Sequence, residues 1–259
     1  MTITLDLDFI AQTYFILTPF SPVALTGLVG WWDASVTASL TLSGADINAV
    51  ADQSGGGRTM NWTGFVKPTY SATGFNGSKP AILLGNGSAL ATASGFPMGT
   101  GNTLTAWYVG TMCSSSFSDA DARALDYIAA GSGNIDYNDA GSWAIYRNAS
   151  TTQSLGLVRN VISAVTPSTI TAYPAPHRII CTIDSSGLMT IYIDGVVVAT
   201  ATSSGNWVSA GVCQIGTRVV AASGGFWSGP IAEAGVATGY HDATTVTQLD
   251  TYLKTKWGL

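Results

Sequence analysis

Apolar and polar residues alternate strictly at the start of the chain. Ile3, Leu5, Leu7 and Phe9 face one way, and Thr2, Thr4, Asp6 and Asp8 face the other. That period of two predicts a half-buried strand. The following stretch, Leu17 to Val23, holds Pro19 and Pro22 and reads as an extended link. A strand ahead of a proline-rich link predicts an arm over residues 1–24. Such an arm either docks on its own domain or augments a partner's sheet edge, with Ile3, Leu5, Leu7 and Phe9 as its anchoring face. From Gly27 onward, short apolar runs are separated by Gly, Ser, Asn and Asp clusters, the punctuation of a sandwich or barrel. The clearest unit is a meander: a strand over Arg178 to Ile183, a turn at Asp184-Ser185-Ser186-Gly187, and a strand over Met189 to Ile193. The Asp194-Gly195 dipeptide then suits a type I′ turn before Val196-Val197-Val198.

The period changes at the end of the chain. Val246, Leu249, Leu253 and Trp257 form one apolar helical stripe, with Asp242 as N-cap, Lys254 and Lys256 near the C-terminus and Gly258 as the stop. An alanine-rich piece, Asp119 to Tyr127, is expected as a helical turn in a loop. No internal repeat is present, which sets solenoids and propellers aside.

Composition narrows the class. The 259 residues are 46% hydrophobic and only 10% charged, with a formal net charge of -5, which excludes disordered, acidic-tail and coiled-coil proteins. Basic residues are scattered, so no nucleic-acid partner is expected. Cys113, Cys181 and Cys213 lie far apart without a CxxC or His/Cys metal spacing, and are expected as small buried hydrophobes in strands. The N-terminus has no basic n-region, so export by a standard signal is not expected. The uncharged run Ile10 to Trp32 contains Gln12, Pro19 and Pro22, and no membrane span is expected from it.

Several segments together resemble a known family. Gly27-Leu28-Val29-Gly30-Trp31-Trp32-Asp33-Ala34-Ser35, Asp52-Gln53-Ser54-Gly55-Gly56-Gly57-Arg58 and Phe75-Asn76-Gly77-Ser78-Lys79-Pro80 resemble successive motifs of the concanavalin A-like (LamG-like) lectin/glucanase domains of bacteria and phages. The hairpin His177 to Ala199 and the segment Phe226 to Leu259 are similar to the later motifs, in family order. The resemblance implies an all-β, two-sheet antiparallel jelly-roll sandwich over residues 25–259, closed by a short C-terminal helix. It implies no reaction, because this fold hosts lectins, glycosidases, adhesion modules and inert domains alike.

Hydrolytic members of that superfamily resemble one another in an E-x-D-x-x-E strand, and glycoside hydrolysis generally needs two positioned carboxyls. This chain has one glutamate, Glu233, in a segment that resembles a structural part of the family pattern, while Asp119, Asp121, Asp136 and Asp139 fall in expected loops. His177 and His241 are the only histidines, and no G-x-S-x-G elbow exists. A non-enzymatic protein is expected.

Sugar binding needs aromatic faces and fixed hydrogen-bonding groups. Trp31, Trp32, Trp107, Trp143 and Trp257 fall in apolar runs or on the helix stripe and are expected in the core. Trp207 and Trp227 are flanked by small polar residues and are candidates for stacking on a ligand. The loop around Asn134, Asp136, Tyr137, Asn138 and Asp139 is dense in oxygen donors: a candidate glycan rim, with a possible calcium site at Asp136, Asn138 and Asp139, or an ordinary turn-rich loop. Arg147, on the following strand, could reach a sugar hydroxyl or carboxylate. Appendages of phages and phage-like particles often carry sandwiches of this kind. The resemblance with the arm therefore raises the expectation of a spike, fibre or decoration protein on a virion, made in a bacterial cytoplasm, homo-oligomeric, anchored to other virion subunits and touching host-surface polysaccharide. A purely structural decoration module and a secreted carbohydrate-binding module are the alternatives.

Overall fold

The computed structural model describes residues 19–111, 122–129, 140–148, 154–160, 162–165, 175–208, 210–217 and 225–259. The expected strand over residues 2–9, with its anchoring face Ile3, Leu5, Leu7 and Phe9, lies outside them. In chain order the first strands are β1 (Leu28–Asp33), β2 (Leu40–Ser43), β3 (Asp46–Val50), β4 (Met60–Trp62), β5 (Thr69–Phe75) and β6 (Lys79–Leu84). Next come β7 (Leu90–Thr92), β8 (Leu104–Thr111), β9 (Arg123–Ile128), β10 (Trp143–Asn148), β11 (Ser154–Arg159) and β12 (Ile162–Val165). The chain closes with β13 (Pro176–Ile183), β14 (Leu188–Ile193), β15 (Val196–Thr202), β16 (Val212–Ile215), β17 (Gly229–Ala237) and the helix α1 (Ala243–Trp257).

All named strand pairs are antiparallel and form two layers. In one, β6 and β1 share one edge of β17, and the order runs on through β8, β13, β14 and β15, with β5 beside β6. In the other, the order is β2, β3, β4, β7, β16, β9, β10, β11, β12. Side-chain alternation joins the layers. Leu104, Ala106 and Tyr108 of β8 pack with Ile179, Cys181 and Ile183 of β13 and with Leu125, Tyr127, Trp143, Ile145, Leu155 and Leu157 of the opposite layer. The residues between them, Trp107, Val109 and Ile180, point the other way, onto Val246, Leu249, Leu253 and Trp257 of α1. One sheet thus has a core on each face, which is why its strands read as nearly continuous apolar runs.

The meander forms as expected: Asp194 and Gly195 both take positive φ (52° and 83°), as a type I′ turn demands. Upstream, Asp184 Oδ1 accepts from the amides of Ser186 (2.8 Å) and Leu188 (2.9 Å). The helix is capped as its sequence implies, Asp242 Oδ1 accepting from the Thr245 amide at 2.9 Å and Gly258 ending it at φ 69°. Cys181 and Cys213 are buried free thiols in strands; Cys113 lies outside the described residues.

Two local expectations are corrected. Residues 123–128 are a central strand, not helix: Ala122 and Ala124 are buried where β9 inserts between β16 and β10, and sheet pairing outweighs alanine's helical preference. Within the expected extended link, Pro22–Ala24 forms a 3-10 turn with Pro22 at its first position.

The lone glutamate holds the helix to the sheet. Glu233 and Asp33 are cross-strand neighbours on β17 and β1, two like charges side by side in a buried place. Lys256 of α1 reaches both, donating to Glu233 Oε2 at 2.7 Å, to Asp33 Oδ2, and to Tyr252 Oη at 2.9 Å. Glu233 Oε1 accepts from the indoles of Trp31 (2.8 Å) and Trp107 (3.3 Å), and Oε2 from that of Trp257 (2.9 Å). Asp33 Oδ1 takes the Ser35 amide and hydroxyl at 2.8 and 2.6 Å. Every carboxylate oxygen and every ammonium hydrogen is used. Gly235, in register with Trp107, leaves the room this needs, since a Cβ there would lie 2.1 Å from the indole ring. Burial pushes the Glu233 carboxyl above its usual range, with Asp33 adding to the rise, while the two carboxylates outweigh burial at Lys256 and raise its ammonium pKa.

Removing one partner of such a group leaves an uncompensated buried charge. Lys256→Met is therefore expected to cost about 3–5 kcal/mol in urea unfolding, whereas Lys254→Met, on the exposed face, should stay within about 0.5 kcal/mol of the parent.

His241, at the helix entrance, gives a pH prediction. Its Nδ1 lies 2.9 Å from Thr105 Oγ1, whose own hydrogen goes to the Gly239 carbonyl at 3.0 Å, so Nδ1 carries a proton, and among the described residues the buried Nε2 has no acceptor for a second one. Burial lowers its pKa, against an opposite pull from Asp242. The unfolded chain takes up a proton below about pH 6.5 while the fold resists it, so this contribution to stability is lost as pH falls through that value. The urea midpoint of the parent should fall from pH 7 to 5.5 by more than that of His241→Gln; equal falls would refute it.

Candidate functional site

The tryptophan that the fold exposes is one the sequence reading passed over. Trp62, at the end of β4, is 37% exposed, and Phe65, three residues on, is 68% exposed. Their loop is pinned by its backbone: Thr63 N donates to Ala89 O and Val66 N to Gly87 O, both at 3.1 Å, and Val66 bridges to Ser88. The approach requires glycine at 64, where a Cβ would stand 2.2 Å from the Gly87 carbonyl oxygen. With its backbone drawn inward there, the loop turns Phe65 outward. The rings are also held: the Trp62 indole donates to Val66 O at 3.2 Å, and Phe65 meets Phe226 edge to face at 6.1 Å.

Polar groups flank this aromatic rim. Lys67 Nζ sits 5.0 Å from the Trp62 ring centroid and donates to Asn48 Oδ1 at 2.7 Å. Two held aromatic surfaces beside an ammonium and an amide offer what a pyranose or furanose needs: apolar faces for its C–H groups and hydrogen-bonding groups for its hydroxyls.

A second concentration of polar chemistry lies on the outer face of the β16–β9–β10 layer. Gln214, Asp126 and Ala144 are successive cross-strand neighbours, and the Arg123 guanidinium lies 5.0 Å from the Tyr146 ring centroid. Gln214 and Arg123 are wholly buried and Asp126 nearly so, so this row is closed to a ligand as it stands. A cavity of about 430 Å³ beside α1 is lined by Pro19, Phe20, Gln248, Thr251, Tyr252 and Lys256.

The expected sugar-stacking residues are placed elsewhere. Trp207 is buried: its indole donates to Thr103 O at 2.8 Å and its ring lies 4.4 Å from the Arg159 guanidinium. Trp227 is buried too, donating to Tyr108 Oη at 3.0 Å. Small polar neighbours mark the turns that let these rings fold inward. Arg147 is also buried, in register with Leu155 on the core side of β10, and offers nothing to an external sugar. Asn134, Asp136, Tyr137, Asn138 and Asp139, the glycan-rim and calcium candidates, lie outside the described residues. Of the tryptophans expected in the core, Trp32, Trp107, Trp143 and Trp257 are fully buried and Trp31 is half-buried, its indole turned to Glu233. The signal applied to Trp207 was equally present in Asn61-Trp62-Thr63-Gly64, and there it marks an exposed ring.

No protein-family model and no curated protein matches the sequence. Solved structures do resemble the fold. Domain 4 of AbnA, an extracellular GH43 arabinanase from Geobacillus stearothermophilus, solved with arabinotriose, aligns at TM-score 0.61 and 13% identity over 86% of this chain and 98% of that one. The receptor-binding domain of botulinum neurotoxin type G aligns at TM-score 0.57 and 13% identity, over 88% of this chain and 52% of that one. A Trypanosoma rangeli sialidase aligns at TM-score 0.58 and 11% identity, over 90% of this chain and 36% of that one. At these identities the likeness shows the fold, an antiparallel β-sandwich of the jelly-roll kind.

Proposed function

We propose that this chain is a carbohydrate-binding module that grips saccharide at the Trp62–Phe65 rim, with Lys67 and Asn48 supplying the hydrogen bonds. The observation that carries the reading is the exposure of two aromatic rings on a loop whose backbone and ring edges are fixed by Gly87, Ala89, Val66 and Phe226. Burying aromatic rings in the core is the ordinary outcome, and a pre-set pair facing water lowers the ordering cost of binding. Support comes from the fold neighbours, one solved in complex with arabinotriose and another a receptor-binding domain. Binding without cleavage is the chemistry we favour, because both oxygens of Glu233 are committed to indoles and to Lys256.

The setting we propose is the surface of a phage or phage-like particle, with a concanavalin A-like sandwich of the LamG-like type presented to host polysaccharide and the N-terminal arm as anchor. The support is the alternating Thr2–Phe9 pattern ahead of Pro19 and Pro22. Leu5→Asp with Leu7→Asp should then lower recovery of the protein with particles while leaving saccharide affinity unchanged. Equal recovery would remove the anchoring role.

Binding is tested by titrating neutral and acidic oligosaccharides, arabinotriose among them, against the parent, Trp62→Ala and Phe65→Ala. Each substitution should weaken binding by about tenfold or more, with the melting temperature of Phe65→Ala within about 2 °C of the parent because its ring is mostly in water. A parent that binds no saccharide, or a double variant that binds as the parent does, would sink the proposal.

A further inference from the structure

Inside the sandwich, away from the rim, a row of side chains crosses four strands: Cys213, Tyr127, Trp143 and Arg159, each the direct cross-strand neighbour of the next. All four are fully buried. The row ends in unanswered donors. Among the described residues, Arg159 Nε and both terminal guanidinium nitrogens have no hydrogen-bond acceptor, nor does Trp143 Nε1. Polar groups of residues adjoining the row already have partners of their own. Tyr127 Oη donates to Val208 O and accepts from the Gly211 amide at 2.9 Å, Ser142 Oγ accepts from the Ala129 amide at 3.0 Å, and Thr103 O is taken by Trp207. Trp207 covers one face of the guanidinium at 4.4 Å, leaving its donor edge directed in the plane of the group.

A guanidinium cannot shed its proton to escape this position. Burial does pull its pKa down, and no neighbouring charge is found to push it back. An ordered water could accept from these donors but would leave the buried charge unbalanced, whereas an anion answers both the charge and the donors. Tyr127, Trp143 and Trp207 are bulky and buried, so an anion beside them must be small. We propose that Arg159 and Trp143 hold a small monovalent anion, of halide or formate size, between the two layers as part of the folded state.

The test uses the full chain. Melting temperature is measured in sodium bromide, sodium formate and sodium gluconate at equal ionic strength, for the parent and for Arg159→Met. At 100 mM, bromide or formate should raise the parent's melting temperature by about 3–5 °C over gluconate, and the difference should vanish in Arg159→Met. Which of the two salts acts tells halide from carboxylate. If Arg159→Met does not fold, crystals of the parent grown in bromide decide. An anomalous peak within hydrogen-bonding distance of Arg159 and Trp143 supports the site. The absence of any peak there, or a chain carboxylate occupying the position, overturns it, as does an equal melting temperature of the parent in all three salts or a bromide response retained in Arg159→Met.

Discussion

A single buried carboxylate, Glu233, ties together three parts of the chain that are distant in sequence. Trp31 comes from β1, Trp107 from β8, and Trp257 and Lys256 from α1, and all four donate to its two oxygens. Asp33 beside it would make the place untenable by repulsion, and Lys256 resolves this by standing between the carboxylates. A half-satisfied polar group of this kind is worse than none. Here each hydrogen bond constrains the helix against the outer face of the sheet in one rotation and one axial position. The apolar stripe of α1 supplies the burial; the Glu233 group supplies the uniqueness.

That arrangement decides where contact with other molecules can occur. The central strands β8, β13 and β17 of one sheet are covered on both faces, by the opposite layer and by α1, so their side chains are committed to packing. The outer face of the other layer carries polar groups, yet Arg123, Asp126 and Gln214 are enclosed. Among the described residues, the Trp62–Phe65 rim keeps two aromatic rings open to water. There the close contact at Gly64 turns Phe65 out while the paired backbone keeps Trp62 and Phe65 from collapsing inward. Rigid strands with adaptable end loops are the usual division between stability and recognition in such folds.

The interior is not uniformly apolar, and its polar members behave in two ways. The Glu233 group closes on itself, donor for donor. Arg159 and Trp143 do not close, and their cross-strand placement concentrates donors without an acceptor. The same low-dielectric surroundings that strengthen the first arrangement make the second costly unless something completes it.

The sequence by itself determined the local units. The Asp194-Gly195 turn, the meander around it and the capped helix with its stripe Val246, Leu249, Leu253 and Trp257 all follow from short-range rules of backbone conformation and periodicity. Motif order carried the sandwich, since alternation recurs along each strand. It did not determine which aromatic ring faces water, because flanking glycines and serines mark a turn equally well when the ring folds in, as Trp207 and Trp227 do, and when it stays out, as Trp62 does. Nor could it show that the alanine-rich segment before Tyr127 is a strand, or that Arg147 turns toward the core, since both depend on the neighbours β9 and β10 acquire from far along the chain. Burial and charge pairing are properties of the assembled layers. Only the tertiary structure could place Glu233, Lys256 and Asp33 together, because the energy that fixes them exists once water has been excluded and not before.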